Sequence, residues 1–244
     1  MRNGLDLRVL GWGVKWEGLS QKLAEALVAV EALPPECPVL FTDAYDVLFT
    51  ATGRAMRAAF ERLGKPLVFS GECGCWPQVQ RDHGVTCRDA YPPSPTPYRY
   101  LNSGSWIGRA HVAARFLRLI IARAGKTGSA LHKLNDQELA SELYLRGGFG
   151  PDLALDHHAQ LFQPMHAVRD ATAVPDCDPW LDLREVGGVY HNTRTGSRPA
   201  VFHYNGGGKQ RPVSTSTVST DLARFRTGRR LLGSDVEKRL DSDV

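Results

Sequence analysis

Residues 39–50, VLFTDAYDVLFT, combine a short apolar run with two acids that follow it closely. The run from Val39 to Thr42 is typical of a buried strand, and Asp43 and Asp46 come directly after it. Residues i and i+3 of a strand face opposite sides, so both carboxylates reach one partner only if the chain turns between them. Such a pair repels unless a cation lies between the carboxylates, and Mg²⁺ or Mn²⁺ suits their oxygens. From spacing alone, a surface turn with a helix-capping aspartate remains the alternative.

Helical patterns lie on both sides of this strand. Residues 21–33 have apolar positions at helical spacing and end at Pro34-Pro35, and residues 52–63 repeat the pattern up to Gly64. Residues 67–69 then predict a second buried strand. The order strand, helix, strand predicts a βαβ unit with a parallel sheet, and therefore an α/β protein.

The rest of the chain continues this alternation. The sequence predicts a loop at 71–97, a strand at 100–108, helices at 112–124 and 135–145, two short strands within 153–164, and a last strand at 200–202 that ends at His203. From residue 212 the apolar period is lost and Ser, Thr and Arg dominate. We therefore predict one domain over residues 1–211 and a flexible tail over 212–244.

Composition excludes several classes of protein. A chain of 244 residues that is 42% hydrophobic is large enough for one globular core, and its net charge of +4 is too small and too dispersed to indicate a nucleic-acid partner. No run of 18 apolar residues predicts a membrane span, and the first residues lack the apolar core of a signal peptide, so the chain as written is expected in the cytoplasm. The five cysteines do not have the spacing of a disulfide framework.

A second cluster, FHYNGGGK at residues 202–209, also follows a predicted strand. His203 offers an imidazole nitrogen to a metal. Three glycines, 206–208, let backbone N–H groups approach a phosphate, and Lys209 adds a cation. Taken alone, the histidine is more often structural and the glycine run is more often a turn. Combined with Asp43 and Asp46, the cluster predicts an octahedral Mn²⁺ site that holds a diphosphate.

Six blocks of sequence occur in an order that points to one family: VLFTDAYDVLFT, LVFSGECGCWPQ, RYLNSGSWIG, NDQEL, LDHHAQLFQ and HYNGGGK. Over residues 7–209 the chain resembles the glycosyltransferase domain of the procollagen lysyl hydroxylases, without their iron-dependent hydroxylase domains. The resemblance implies a GT-A-like nucleotide-sugar-binding fold with a mainly parallel central sheet. It also implies Mn²⁺, UDP-glucose or UDP-galactose as donor, and a hydroxylysine-linked, collagen-like acceptor.

The resemblance also implies a role for each matched residue: Asp43, Asp46 and His203 as ligands of Mn²⁺, Tyr45 beside the uracil or ribose, Asn205, Gly206 and Lys209 on the diphosphate, Asp136 near the transferred sugar, and Trp76 in a loop over the donor. Alternatives remain for two of these. Trp76 would otherwise be a core tryptophan, and Asp136 a first-turn acid favoured by the helix dipole. Asn102 and Ser103 either line the acceptor side or let the sheet pass close to the sugar.

The chain departs from the family pattern at its start. Residues 5–18, LDLRVLGWGVKWEG, resemble the segment that follows the family's first strand, so we expect a domain that lacks this strand. A truncated start would explain this departure and would move the expected location to the secretory pathway. The acid run before Gln137 is reduced to Asn135-Asp136, and residues 169–195 match poorly.

Three functions are compatible with these observations. The leading one is a metal-dependent hexosyltransferase, in which the metal neutralises the UDP leaving group. The second is a non-catalytic remnant that binds a sugar nucleotide or glycan. The third is a metal-dependent phosphohydrolase, which usually needs acids at positions i and i+2, whereas position 45 is tyrosine.

Overall fold

The computed structural model describes residues 5–77, 87–168 and 177–209; the predicted tail at 212–244 lies outside them. The helices of the described part are α1 (Gln21–Glu31), α2 (Gly53–Leu63), α3 (Cys87–Ala90), α4 (Ala110–Gly125), α5 (Asp136–Leu145) and α6 (Pro179–Asp182). The strands are β1 (Pro38–Thr42), β2 (Val47–Phe49), β3 (Leu67–Glu72), β4 (Tyr100–Arg109), β5 (Leu153–Asp156), β6 (Phe162–Pro164), β7 (Leu183–Val186), β8 (Val189–Asn192) and β9 (Val201–His203).

The central sheet has the strand order β1-β4-β3-β5. Strands β1 and β3 both pair antiparallel with β4, and β3 pairs parallel with β5, so β1, β3 and β5 run in one direction and β4 runs against them. The predicted α/β class is confirmed. The predicted βαβ unit differs in one respect, because β4 lies between its two strands. This ten-residue strand is buried along nearly its whole length, which suits a central position.

A second, smaller sheet joins the two clusters singled out by sequence. In it β9 lies between β2, with which it pairs antiparallel, and β6, with which it pairs parallel. The predictions did not include β2, which has only three residues, or the separate β7–β8 hairpin. Because β2 and β9 pair antiparallel, Asp46, which precedes β2, lies beside the end of β9 at His203.

The predicted long helices are confirmed, and their ends follow the sequence signals. Thr52 caps α2 by accepting a hydrogen bond from the Ala55 N–H, and Gly64 ends that helix with a positive φ of 64°. Asn135 caps α5, because its side-chain oxygen accepts hydrogen bonds from the N–H groups of Gln137 and Glu138. The cap fixes the position at which α5 begins. None of the described helices is long and apolar enough to cross a bilayer.

The main core fills the space between the central sheet and helices α1, α4 and α5. Its aromatic centre is continuous: the ring of Trp106 packs against Phe41 and Phe69, and Phe69 packs against Phe116. Full burial of a phenylalanine side chain such as Phe116 contributes about 1.5 to 3 kcal/mol. Leu23 of α1 and Leu139 of α5 belong to the same core, so both helices pack on it.

A disulfide links the end of β3 to a distant part of the chain. Cys73 and Cys177 are 104 residues apart in sequence and are bonded, and Cys75 is disulfide-bonded as well. The prediction that the cysteines form no disulfide framework is therefore wrong. Spacing along the sequence does not show that residue 177 returns to the end of β3. Structural disulfides are typical of oxidising environments.

Removing this disulfide should lower the stability of the protein. A crosslink that closes a loop of 104 residues restricts the unfolded chain, and its loss typically costs about 2 to 5 kcal/mol. We expect Cys73→Ser to lower the unfolding free energy by this amount in urea titrations under oxidising conditions. Cys37→Ser is the matched control, because Cys37 is a free thiol. Equal unfolding midpoints for Cys73→Ser and the unmodified protein would contradict the expectation.

Candidate active site

The side chains of Asp43, Asp46 and His203 lie close together. Each offers a ligand atom, and these atoms lie within 4.8 Å of one another. The Nε2 atom of His203 is 3.6 Å from Asp43 Oδ2 and 3.5 Å from Asp46 Oδ2. Two ligands of one ion, each bound at about 2.1 Å, lie about 3 to 4 Å apart. The described geometry therefore suits a shared divalent ion, and the role of the three residues as ligands stays a prediction.

Backbone pairing produces this convergence. Val47, the first residue of β2, pairs with His203, and the Tyr204 N–H donates to the carbonyl of Asp46 at 2.8 Å. The Asp43 N–H donates to the carbonyl of Gly104 at 2.7 Å. The chain thus turns between the two acids because Asp43 stays with the central sheet while Asp46 enters the second sheet.

The orientation of the His203 ring also suits a metal ligand. Asn102 Oδ1 accepts the Gly104 N–H at 3.0 Å and lies 3.2 Å from His203 Nδ1. Because this oxygen can only accept, the proton of a neutral His203 belongs on Nδ1, and the Nε2 lone pair faces the two carboxylates. A hydrogen bond of this kind fixes the tautomer in many metal-ligating histidines.

Gly104 is a site residue that the sequence analysis missed. A Cβ atom at this position would lie 2.3 Å from His203 Cε1 and 2.6 Å from Asp43 Oδ2. The cause is an irregularity of β4: its pairing with β3 shifts register between Phe69 and Ser70, from Trp106 to Asn102. Gly104 lies within this irregularity, and only glycine fits beside the proposed ligands.

Lys22 is a second residue that the sequence analysis missed. Its Nζ lies 2.8 Å from Asp43 Oδ1 and 3.0 Å from Asp136 Oδ2. Burial disfavours the charged form, but the carboxylates of Asp136 and Asp43 outweigh it and raise the pKa of Lys22 above its usual value. A cation therefore lies between Asp136 and the candidate metal-binding group of Asp43, Asp46 and His203. The helical periodicity of residues 21–33 identifies only the apolar face of α1, so it did not predict that Lys22 contacts the site.

Asp136 is the first residue of α5 and is 2% exposed. Its Oδ2 accepts a hydrogen bond from Ser103 Oγ at 2.6 Å besides the contact with Lys22. It lies in the first turn of α5, as the alternative of an acid favoured by the helix dipole also requires. It is buried and paired with Lys22 and Ser103. Among the described residues, the cluster suited to a metal contains Asp43, Asp46 and His203 and not Asp136.

The two predicted aromatic residues are exposed. Tyr45, between the two acids, is 71% exposed, and Trp76 is 53% exposed. The carbonyl of Trp76 accepts a hydrogen bond from Gln137 Nε2 at 2.6 Å, which ties its loop to α5. The alternative of a core tryptophan is therefore wrong. Contact of either ring with the donor stays a prediction.

The segment Gly206–Lys209, which we call the glycine segment, differs from the predicted phosphate clamp. The N–H of Gly207 donates to His166 Nδ1, and the N–H of Gly208 donates to the Asn205 carbonyl, both at 2.9 Å. The expectation that these N–H groups are available to a phosphate is wrong in this conformation. Binding of a diphosphate by Gly206 and Lys209 stays a prediction, and the Lys209 side chain lies outside the described part of the chain.

The model of one family, described as "PLOD GT domain", matches residues 1–212. The chain belongs to this family. It is 28% identical over 238 residues to a Drosophila melanogaster protein named procollagen-lysine,2-oxoglutarate 5-dioxygenase. The match covers 92% of this chain and 30% of that protein. It is 27% identical over 207 residues to the Rattus norvegicus multifunctional procollagen lysine hydroxylase and glycosyltransferase LH3, covering 84% of this chain and 24% of that protein.

The chain thus spans under a third of the length of these relatives of the PLOD GT-domain family. Among solved structures, apo mouse xyloside xylosyltransferase 1 is similar at 14% identity with a TM-score of 0.41, and the match covers 84% of this chain and 68% of that one.

The chain also contains a buried carboxylate that sequence analysis did not single out. Glu72 is 4% exposed; its two oxygens accept hydrogen bonds from Gln137 Nε2 at 2.7 Å and from Asn205 Nδ2 at 2.6 Å. Burial raises the pKa of Glu72 to about 7, although hydrogen bonds from Gln137, Asn102 and Asn205 oppose the rise. The side-chain oxygen of Asn205 also accepts hydrogen bonds from the N–H groups of residues 165 and 166, so its amide links Glu72 to the chain after β6.

The raised pKa of Glu72 predicts a pH-dependent stability. Its pKa is higher in the folded state, so its contribution is fully present below about pH 4.5 and is lost as the pH rises through about 7. The loss approaches about 3 kcal/mol on the alkaline side. We therefore expect the unfolding free energy of the unmodified protein, measured in urea, to fall relative to that of Glu72→Gln as the pH is raised from 5 to 8.

Glu185→Gln is the matched control for this measurement, because Glu185 is exposed on β7. It should follow the unmodified protein at every pH. A stability difference between the unmodified protein and Glu72→Gln that stays constant from pH 5 to pH 8 would refute the assignment.

Proposed function

We propose that this chain is a metal-dependent glycosyltransferase that moves glucose or galactose from a UDP-sugar to a hydroxylysine-linked acceptor in a collagen-like chain. The observation that carries the proposal is the convergence of Asp43, Asp46 and His203 at the ends of two sheets, in a chain that belongs to the PLOD GT-domain family. Two carboxylates and one imidazole form a ligand set that suits Mn²⁺.

The proposed roles follow from where the side chains lie. Asp43, Asp46 and His203 would hold Mn²⁺, which would neutralise the charge that develops on the UDP leaving group. Asn102 positions His203 through the hydrogen bond to Nδ1. Tyr45 is 71% exposed between the two acids, and its ring would stack on the base or ribose of the donor.

Asp136 and Lys22 form the part of the site that would face the sugar. Lys22 joins Asp136 to Asp43 with contacts of 3.0 and 2.8 Å, so the carboxylate of Asp136 lies next to the metal cluster without belonging to it. From there an acid orients sugar hydroxyls or stabilises positive charge on the sugar ring as the bond to the phosphate breaks. Ser103 and Lys22 hold this acid in one orientation.

The acceptor is proposed from the names of the relatives, and the UDP-sugar donor from the family resemblance. The rat relative is named as a procollagen lysine hydroxylase and glycosyltransferase, which favours a glycosylated or hydroxylated collagen lysine as acceptor. The diphosphate of the donor would lie against Asn205 and the glycine segment, and Trp76 would cover it. These parts rest on family membership, because the described contacts of Asn205 are with the protein itself.

An assay of UDP release tests the proposal. UDP-glucose and UDP-galactose are each incubated with the protein, Mn²⁺ and a galactosyl-hydroxylysine or hydroxylysine peptide. We expect acceptor-stimulated UDP release from one of the two donors, and its loss in EDTA. Binding of UDP-sugar without turnover would instead favour a non-catalytic binding remnant, and release of inorganic phosphate from a phosphomonoester would favour a phosphohydrolase.

A further inference from the structure

His166 lies between two loops that approach the candidate active site, and no role is yet assigned to it. It follows β6, and its ring is half-buried. On one side is the glycine segment, which begins three residues after His203. On the other side is Gly74, in the loop that follows β3 and leads to Trp76. The ring therefore lies between the two segments that the proposed function places around the donor.

One hydrogen bond connects the His166 ring to the glycine segment. The N–H of Gly207 donates to His166 Nδ1 at 2.9 Å. Nδ1 can accept only if it carries no proton, so a neutral ring must carry its proton on Nε2. Burial lowers the pKa of His166, which favours the neutral form that this hydrogen bond needs.

Side chains at two of the glycines would crowd this ring, and a third glycine lies close to its other edge. A Cβ atom at Gly206 would lie 3.0 Å from His166 Nδ1, and one at Gly207 would lie 3.2 Å from the same ring. A Cβ at Gly74 would lie 3.5 Å from Cδ2 on the other edge. Close packing on His166 thus accounts for glycine at 206 and 207, whereas a Cβ at Gly208 would meet Met165.

The backbone of His166 joins the same structure from a second direction. Its N–H donates to Asn205 Oδ1 at 3.2 Å, and the N–H of Met165 donates to the same oxygen at 3.2 Å. Asn205 stands directly before the glycine segment. Residue 166 therefore fixes the start of the segment through its backbone and the middle of the segment through its side chain.

We propose that His166 is a positioning residue, whose Nδ1 holds the glycine segment in the conformation that receives the diphosphate of the donor. The hydrogen bond is observed in the structure, whereas binding of a diphosphate at this segment rests on the proposed function. Loss of the acceptor frees the Gly207 N–H and lets the segment sample other conformations. Donor binding then weakens, while the transfer step, which uses other residues, keeps its rate.

Two variants separate the hydrogen bond from the volume of the ring. In His166→Asn the side-chain oxygen takes the place of Nδ1 and still accepts, whereas His166→Leu has a similar size and no acceptor. Hydrogen exchange of the Gly207 amide is measured by NMR in protein without UDP. Calorimetry then gives the Kd for UDP in the presence of Mn²⁺, and steady-state assays give kcat and the KM for the UDP-sugar.

We expect His166→Leu to increase Gly207 exchange by about tenfold or more and to raise both Kd and KM by about three- to tenfold, as the loss of one hydrogen bond does. Its kcat should stay within about twofold of the unmodified value, and His166→Asn should restore exchange, Kd and KM. His166→Ala, which also removes the acceptor, replaces the leucine variant if the latter does not fold.

Unchanged Gly207 exchange in the acceptor-free variants would overturn the proposal, whether or not the protein binds UDP. Equal defects in the asparagine and leucine variants would also overturn it, because ring volume and not the acceptor would then matter. Gly207 exchange that responds as expected, in a protein that does not bind UDP even without substitutions, would support the positioning hydrogen bond and overturn the proposed function.

Discussion

Gly104→Ala should abolish detectable metal-dependent UDP binding and lower transfer by at least about 10²-fold. The new Cβ atom would lie 2.3 Å from His203 Cε1 and 2.6 Å from Asp43 Oδ2. Contacts this short force the imidazole or the carboxylate to move, and a shift of about 1 Å in a catalytic group can cost about 10²-fold in rate. Calorimetry of UDP with Mn²⁺, followed by the UDP-release assay, measures both effects.

Gly125→Ala is the matched control for this substitution. Gly125 ends α4, and a Cβ atom there meets nothing within 4 Å. This variant should bind UDP and turn over as the unmodified protein does. If Gly104→Ala also binds UDP within about threefold of the unmodified protein, then His203 and Asp43 do not act together on the metal.

Asp46→Asn and Asp136→Asn should fail in different ways. Asp46 belongs to the cluster suited to a metal, so its amide variant should weaken Mn²⁺-dependent UDP binding itself. Asp136 lies outside that cluster and contacts Ser103 and Lys22. Its amide variant should leave UDP binding within about threefold but lower transfer by about 10²-fold, a typical loss when one transition-state contact is removed.

The same calorimetry and turnover assays, run on both variants, decide between the roles. Equal loss of UDP affinity in the two variants would place Asp136 in the metal site. Unchanged turnover in Asp136→Asn would leave it as an acid that only stabilises the start of α5. Lys22 contacts both Asp43 and Asp136, so a change at Asp136 has a route by which it could affect UDP affinity.

The parts of the site that sequence could predict are those where chemistry and local pattern coincide. An apolar run that ends in Asp43 and Asp46, and a second strand that ends in His203, each carry their own signal. Their meeting requires a turn between the acids, and β2–β9 pairing supplies it. The end of α2 at Gly64 was an equally local signal, and it is confirmed.

The features that sequence missed depend on contacts between distant segments. Gly104 matters because β4 loses its register with β3 beside His203, and nothing in its neighbours encodes that bulge. Lys22 is 21 residues before Asp43 and 114 before Asp136, and only helix packing brings it between them. Cys73 and Cys177 pair across 104 residues. Patterns of spacing describe neighbours along the chain, so they cannot show these contacts.

The most direct test of the central claim is anomalous diffraction at the manganese edge from crystals grown with Mn²⁺ and UDP. The account predicts one peak among the side chains of Asp43, Asp46 and His203, with ligand distances of about 2.0 to 2.3 Å and a UDP phosphate oxygen completing the shell. Asp136 and Lys22 should lie beside this peak and not on it. A peak at another group of residues, or bound UDP with no peak at these three, would contradict the account.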